Sequence, residues 1–247
     1  MSSIECFELV YLFGSWVITL LTYRYTSLQG VDKMPLHYKG NVSIHKISGM
    51  SQFDNNGYLV ICPITGECII IDAPGEPEKL LKEVGDLSVK SILITHGHRD
   101  HIAGLKEIKE FTGAAVGISG ADAHNILPDE PDFYLVDQQE IQFGEYKLTA
   151  IFTPGHTPGA TCLFVGTHLF SGDTLFPGGP GGTRSPEAFR QVVDSIKSKL
   201  LVLPEETVVC PGHGLDTTIK TANEEYASFA SRAHPGDLHG TVTWLRS

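Results

Sequence analysis

Apolar positions along this 247-residue chain follow two rhythms. Short, nearly unbroken runs rich in β-branched residues read as buried strands. Residues 58–62 (YLVIC) and 68–72 (CIIID) flank Pro63-Ile64-Thr65-Gly66, which predicts a hairpin or closely paired strands. Residues 91–95, 115–118, 146–152 and 207–210 predict further strands. Residues 160–165 and 168–171 predict a second hairpin, broken at Gly166.

The second rhythm is helical. Pro77–Val84, residues 103–111 and residues 219–229 predict helices, and residues 121–126 a helical turn. Phe189, Val192, Val193, Ile196 and Leu200 recur at helical spacing behind an N-cap at Ser185 and a proline at the first helical position. Paired strands followed by strand–helix units predict a layered α/β fold with helices outside.

Composition narrows the picture. The formal net charge is -11, and a phosphate backbone demands a basic surface, so nucleic acid is not expected as a partner. The five cysteines (Cys6, Cys62, Cys68, Cys162 and Cys210) are scattered, without a CxxC pair. Unlinked thiols in a reducing, cytoplasmic setting are expected. The length suits one large domain plus an appendage. Residues 7–21 are mostly apolar, but shorter than the ~18–20 residues of a membrane span, and they contain Glu8. They lack the basic start of a signal peptide. Three readings stand: a membrane anchor, a helix docked on the domain, or an extension upstream of a start at Met34 or Met50. The expected organisation is an extension over residues 1–38 and a functional domain over 39–247. Membrane association through residues 7–21 is the alternative localisation. Nothing in the sequence sets the oligomeric state.

One regularity carries the chemistry. Several strands end in Gly- or Pro-bearing turns that hold a ligand-type side chain. Thr95 leads to His96, His98, Asp100 and His101; Thr153-Pro154-Gly155 leads to His156; Ser171-Gly172 leads to Asp173; Pro211-Gly212 leads to His213. Sites gather outside strand ends, where loops converge over a rigid edge. Five imidazoles and two carboxylates could fill two metal shells, whereas the same groups buried without partners would be costly. His37, His45, His124, His168, His234 and His239 read as surface histidines.

THGHRDH, TPGHTPG, SGDTLF and PGHG resemble, in order, the motifs of the metallo-β-lactamase superfamily. They look most like its glyoxalase II branch, the hydroxyacylglutathione hydrolases and their shorter relatives. The likeness covers residues 42–229. It implies a four-layer αββα sandwich with metal at one edge. By motif, His96, His98 and His156 would hold one divalent ion, Asp100, His101 and His213 a second, and Asp173 would bridge them. Asp100 and Asp173 would thus be catalytic as well as ligating. Asp72 would support the histidine loop without touching metal. The ions would be zinc, with iron or manganese as substitutes.

The chemistry implied is hydrolysis by a hydroxide bridging two ions, acting on a small-molecule acyl thioester. A thiolate leaving group of pKa about 8.5 departs without a dedicated acid. Arg184 is a candidate anion contact, and Phe176 and Tyr134 are candidate pocket walls. Little chain follows Phe229 here, so a counterpart of the basic C-terminal domain of glyoxalase II is not expected. Alternatives are a persulfide dioxygenase using one iron on His96, His156 and Asp173, a lactonase, or a non-catalytic scaffold of the same fold.

Overall fold

The computed structural model describes residues 36–39, 41–126 and 130–246. The apolar segment at residues 7–21 lies outside them, and of the expected extension over residues 1–38 only 36–38 are described. Among the described residues, no helix is long and apolar enough to cross a membrane.

The chain builds two large sheets. The first runs β1 (Leu36–Lys39), β2 (Ser43–Met50), β3 (Asn55–Ile61), β4 (Glu67–Ile71), β5 (Ser88–Leu93), β6 (Ala115–Ser119) and β7 (Phe133–Leu135), in that spatial order. Its β4 to β7 pairs are parallel, so the chain must cross over between them. Helix α1 (Pro77–Val84) makes the first crossover. Helices α2 (Arg99–Ile102) and α3 (Leu105–Thr112) make the second. The second sheet comprises β8 (Glu140–Phe143), β9 (Tyr146–Phe152), β10 (Thr161–Val165), β11 (His168–Gly172), β14 (Val208–Pro211) and β15 (Thr217–Thr218). A small hairpin, β12 (Leu175–Phe176) and β13 (Gly179–Pro180), follows β11. Helices α4 (Pro186–Ser195), continued by a π-helical turn over Ile196–Leu200, and α5 (Ile219–Ala230) complete the fold.

Three apolar clusters show the layering. Leu80, Val84, Leu105 and Ile108 of α1 and α3 pack with Leu59, Ile70 and Ile92 on the outer face of the first sheet. Ile44, Tyr58, Val60, Ile69 and Leu93 meet Phe143, Leu148, Leu163 and Phe170 between the sheets. Phe189, Val192, Ile219 and Phe229 of α4 and α5 cover the outer face of the second sheet with Leu169 and Val209. The order is helices, sheet, sheet, helices. Strand β3 is buried along its whole length, and its second half, residues 58–61, falls in the apolar run read from the sequence. Tyr58 meets Phe170 edge-on across the sandwich at 4.9 Å, a contact worth about 0.5–1.5 kcal/mol beyond burial.

Some local readings change. The helix expected over residues 103–111 runs Leu105–Thr112, and a separate short helix, Arg99–Ile102, precedes it across Ala103-Gly104. The loop after β4 pins the break: Ala73 N–H donates to His101 O at 2.8 Å, and Gly104 N–H donates to Ala73 O at 2.9 Å. Asp100 and His101 therefore ride on a separate short turn. Strands β7 and β8 lie at sheet edges and bury only part of their length, so their apolar pattern is weak. Cys62, Cys68 and Cys162 are unlinked, buried thiols, and Cys210 is buried as well.

Candidate metal centre

The ligand-type side chains meet at one end of the sandwich, drawn from both sheets. The turn after β5 supplies His96, His98, Asp100 and His101. The turns after β9, β11 and β14 supply His156, Asp173 and His213. Their donor atoms fall into three overlapping groups: His96, His98 and His156; His96, His101 and Asp173; and Asp100, His101 and His213. Within each group the atoms lie within 4.8 Å of one another.

The first triad is all imidazole. His98 Nδ1 lies 3.0 Å from both His96 Nε2 and His156 Nε2. The remaining nitrogens of the two outer rings have oxygen partners. His156 Nδ1 donates to Gly182 O at 2.7 Å. His96 Nδ1 lies 3.2 Å from Thr95 Oγ1, whose own hydroxyl donates to Asp72. Those partners fix the tautomers and leave lone pairs facing one another.

The second triad mixes charge. His101 and His213 approach each other through Nε2 at 3.2 Å. Their Nδ1 atoms donate outward, to Asp72 Oδ2 at 2.8 Å and to Phe53 O at 2.8 Å. Asp100 Oδ2 lies 3.2 Å from His213 Nε2 and accepts from Asn55 Nδ2 at 2.9 Å. Asp173 stands between the triads, 3.4 Å from His101, 3.5 Å from His213 and 3.6 Å from His156. Gly212 leaves room for it, since a Cβ there would lie 2.5 Å from Asp173 Oδ1.

Titration separates the two sets. Burial pushes the His96 and His98 imidazoles down, and neighbouring imidazoles push them further. Burial acts on His101 too, but Asp72 and Asp173 outweigh it and raise that ring well above the usual range. Burial likewise opposes the charge on His213, yet hydrogen bonds to Asp100 and Asp173 push it up to about 10. Against their own burial, partners that include His213 and His101 hold Asp100 and Asp173 well below the usual carboxylate range.

These residues fit divalent cations. Lone-pair nitrogens 3.0 Å apart repel unless something positive lies among them, and one proton cannot serve three rings. Asp173 Oδ1 is buried with no hydrogen-bond partner. The His101 ring, 3.4 Å away, offsets part of its charge, and a divalent cation among these groups would complete the offset.

Asp72 stands behind the site. Its φ of +59° is a strained conformation, and its carboxylate accepts from Thr95 N–H at 2.8 Å as well as from His101. Arg184 is exposed and lines a cavity of about 360 Å³ that begins at His98 and His156. His124 lines the same cavity. Phe176 sits on the other side, its ring 6.3 Å from that of His213. Tyr134 is exposed on edge strand β7, outside the cavities that border the cluster.

Sequence reasoning missed the supports of the His213 loop. Asn55 pairs with His213 through a β-bridge. Asn56 Nδ2 and Tyr58 Oη donate to Pro211 O at 2.9 and 2.7 Å, and Lys46 Nζ donates to Gly214 O at 2.7 Å. It also missed the C-terminal segment. Gly240 pairs with Thr183, and Trp244 N–H donates to Gly178 O at 2.8 Å. That tail braces the loop whose Gly182 O orients His156. Partners 57 to 168 residues apart leave no local signal.

Comparison with known proteins agrees with this geometry. The family model described as "Metallo-beta-lactamase superfamily" matches residues 51–213. A Bacillus subtilis protein named "Probable metallo-hydrolase YqgX" is 33% identical over 192 residues, covering 69% of this chain and 90% of that one. The crystal structure of ETHE1 from Myxococcus xanthus superposes with a TM-score of 0.67 at 27% identity, covering 77% of this chain and 85% of that one. The structure of TTHA1623 in a di-iron-bound form gives a TM-score of 0.58 at 30% identity, covering 72% of this chain and 96% of that one.

Proposed function

Because this chain belongs to the metallo-beta-lactamase superfamily, we propose that it is a metal-dependent hydrolase of the glyoxalase II-like kind, cleaving a small acyl thioester at a two-ion centre. One observation carries the reading: two triads of donor atoms flank a single buried carboxylate, Asp173, whose Oδ1 has no hydrogen-bond partner. His96, His98 and His156 would hold the first ion, Asp100, His101 and His213 the second, and Asp173 both. A relative of the same fold has been solved with two irons, which supports two positions. Two divalent ions held there would supply a water of near-neutral pKa and Lewis acidity toward a carbonyl oxygen.

The chain's own residues do the rest. Asp100 and Asp173 remain anionic and set the charge that holds the ions. Asp72, Phe53 O and Gly182 O keep His101, His213 and His156 turned with one nitrogen inward, and such outer partners fix ring orientation. Arg184 lines the cavity on the first-ion side and offers its guanidinium to an anionic group of the substrate. Phe176 gives an apolar wall on the second-ion side. A thiolate can leave without a proton donor, which suits a site built of ligands.

The test is loss of the thioester of lactoylglutathione, with protein loaded separately with zinc and with iron. Rapid hydrolysis with either metal is expected. No hydrolysis with both would overturn the thioesterase reading. Oxygen uptake with a persulfide and proton release from a lactone would then separate the two other chemistries.

A further inference from the structure

Besides Asp72, a second buried carboxylate supports the cluster from outside the ligand set. Asp122 follows β6 at the start of a single 3-10 turn, Ala123–Ile126, and is 1% exposed. It is not a donor atom of either triad. Its two oxygens accept three hydrogen bonds, all from the two loops that carry the first triad. Oδ2 accepts from Gly97 N–H at 3.0 Å and from Thr157 Oγ1 at 2.7 Å. Oδ1 accepts from Gly159 N–H at 2.9 Å. Gly97 lies between His96 and His98, while Thr157 follows His156 directly.

Both glycines are needed for this approach. A Cβ on Gly159 would lie 2.7 Å from Asp122 Cγ, and one on Gly97 would lie 2.9 Å from Asp122 O. The loops also touch directly, Thr161 N–H donating to Thr95 O at 2.9 Å. Asp122 therefore clamps the His96–His98 turn of the first sheet to the His156 turn of the second. Asp72 makes no such bridge: its side chain bonds to Thr95 and His101, on one loop.

We propose that Asp122 is a positioning residue that clamps the two histidine loops together, and so sets the affinity of the first ion separately from that of the second. The proposal rests on the two-ion reading above. An asparagine cannot replace it, because its NH2 would face one of the backbone N–H donors whichever way it turned.

Zinc affinity of the full chain, measured by competition with a chromophoric chelator, tests this without reference to turnover. Wild type should bind two equivalents. D122N should weaken one of them about 10–100-fold, the usual cost of losing an outer-shell partner. H98A identifies which: it should abolish the same equivalent, and adding D122N to H98A should leave the remaining ion unchanged, as expected of a clamp serving one position. D72N should mainly weaken the other equivalent. T157V, which removes one bond of the three, should weaken the first ion in the same direction by less and guards against a D122N chain that fails to fold. Equal weakening of both equivalents by D122N, no weakening of either, or a further loss on top of H98A would overturn the clamp. A wild-type stoichiometry of one would instead count against the two-ion reading. The clamp would then stand or fall on whether D122N and H98A weaken that single ion together.

Discussion

The two triads use the same residue types and the same strand-end turns, yet they are different electrostatic objects. In the first, burial and the neighbouring imidazoles outweigh Asp173 and, at His98, Asp100, and so keep His96 and His98 unprotonated. In the second, Asp72, Asp100 and Asp173 surround His101 and His213 and draw protons onto them. His96 and His98 are thus ready to ligate at neutral pH. The second must exchange protons for a cation. A carboxylate beside an imidazole thus does two jobs: it strengthens the ligand set toward a dication and guards it with a proton until the dication arrives.

The largest effect should come from breaking what the triads share. Asp173→Ala is expected to lose both ions and turnover, the latter by about 1,000-fold or more, since metal and transition-state stabilisation vanish together. Elemental analysis beside the thioester assay would show it; full metal content with normal turnover would sink the two-ion reading.

A second prediction sharpens the difference. With His213 at about 10 and His101 raised as well, both rings carry protons at pH 7 in the metal-free protein. Raised pKa values favour the protonated, metal-free form below them, so loading of the second triad should release protons and tighten as pH rises toward 10. Loading of the first triad should change little between pH 7 and 9, because His96 and His98 are lowered. Calorimetric titration in two buffers of different ionisation heat counts the protons. Equal release at both steps would erase the distinction.

Smaller effects are expected at the cavity. Arg184→Ala should raise KM for an anionic thioester about 3–10-fold with kcat nearly unchanged, since it removes a contact made equally in ground and transition states. A fall in kcat at constant KM would place Arg184 at the reacting atoms instead. The smallest change belongs to His124→Ala, which should leave the content of both ions intact. That ring lines the cavity and contributes no donor atom to either triad. Loss of metal there would mean the first ligand set is wrongly drawn.

Much of this was legible along the chain because it is local. Buried strands announce themselves as β-branched runs, and β3, β4, β5 and β9 fall where those runs lie. The helix over Pro77–Val84 coincides with its reading, proline at the first turn and Gly85 after the last. The seven ligand-type residues stood out because each follows a strand within a few positions. Edge strands β7 and β8 did not stand out, because an edge needs fewer apolar positions. The break at Gly104 depends on hydrogen bonds from the loop after β4, some thirty residues away.

By itself, then, the sequence determined which side chains could ligate and that they would sit at strand ends, since both are short-range matters of residue type and periodicity. Only the tertiary structure decided how they divide. That His98 faces His156 rather than His213 and that Asp122 spans two loops from two sheets depend on packing one sheet against the other, and that Asn55 meets Asp100 depends on the strand order within the first sheet. Those contacts join residues 25 to 58 positions apart. Their energy is realised only once the core between the sheets has formed, so no local pattern encodes them.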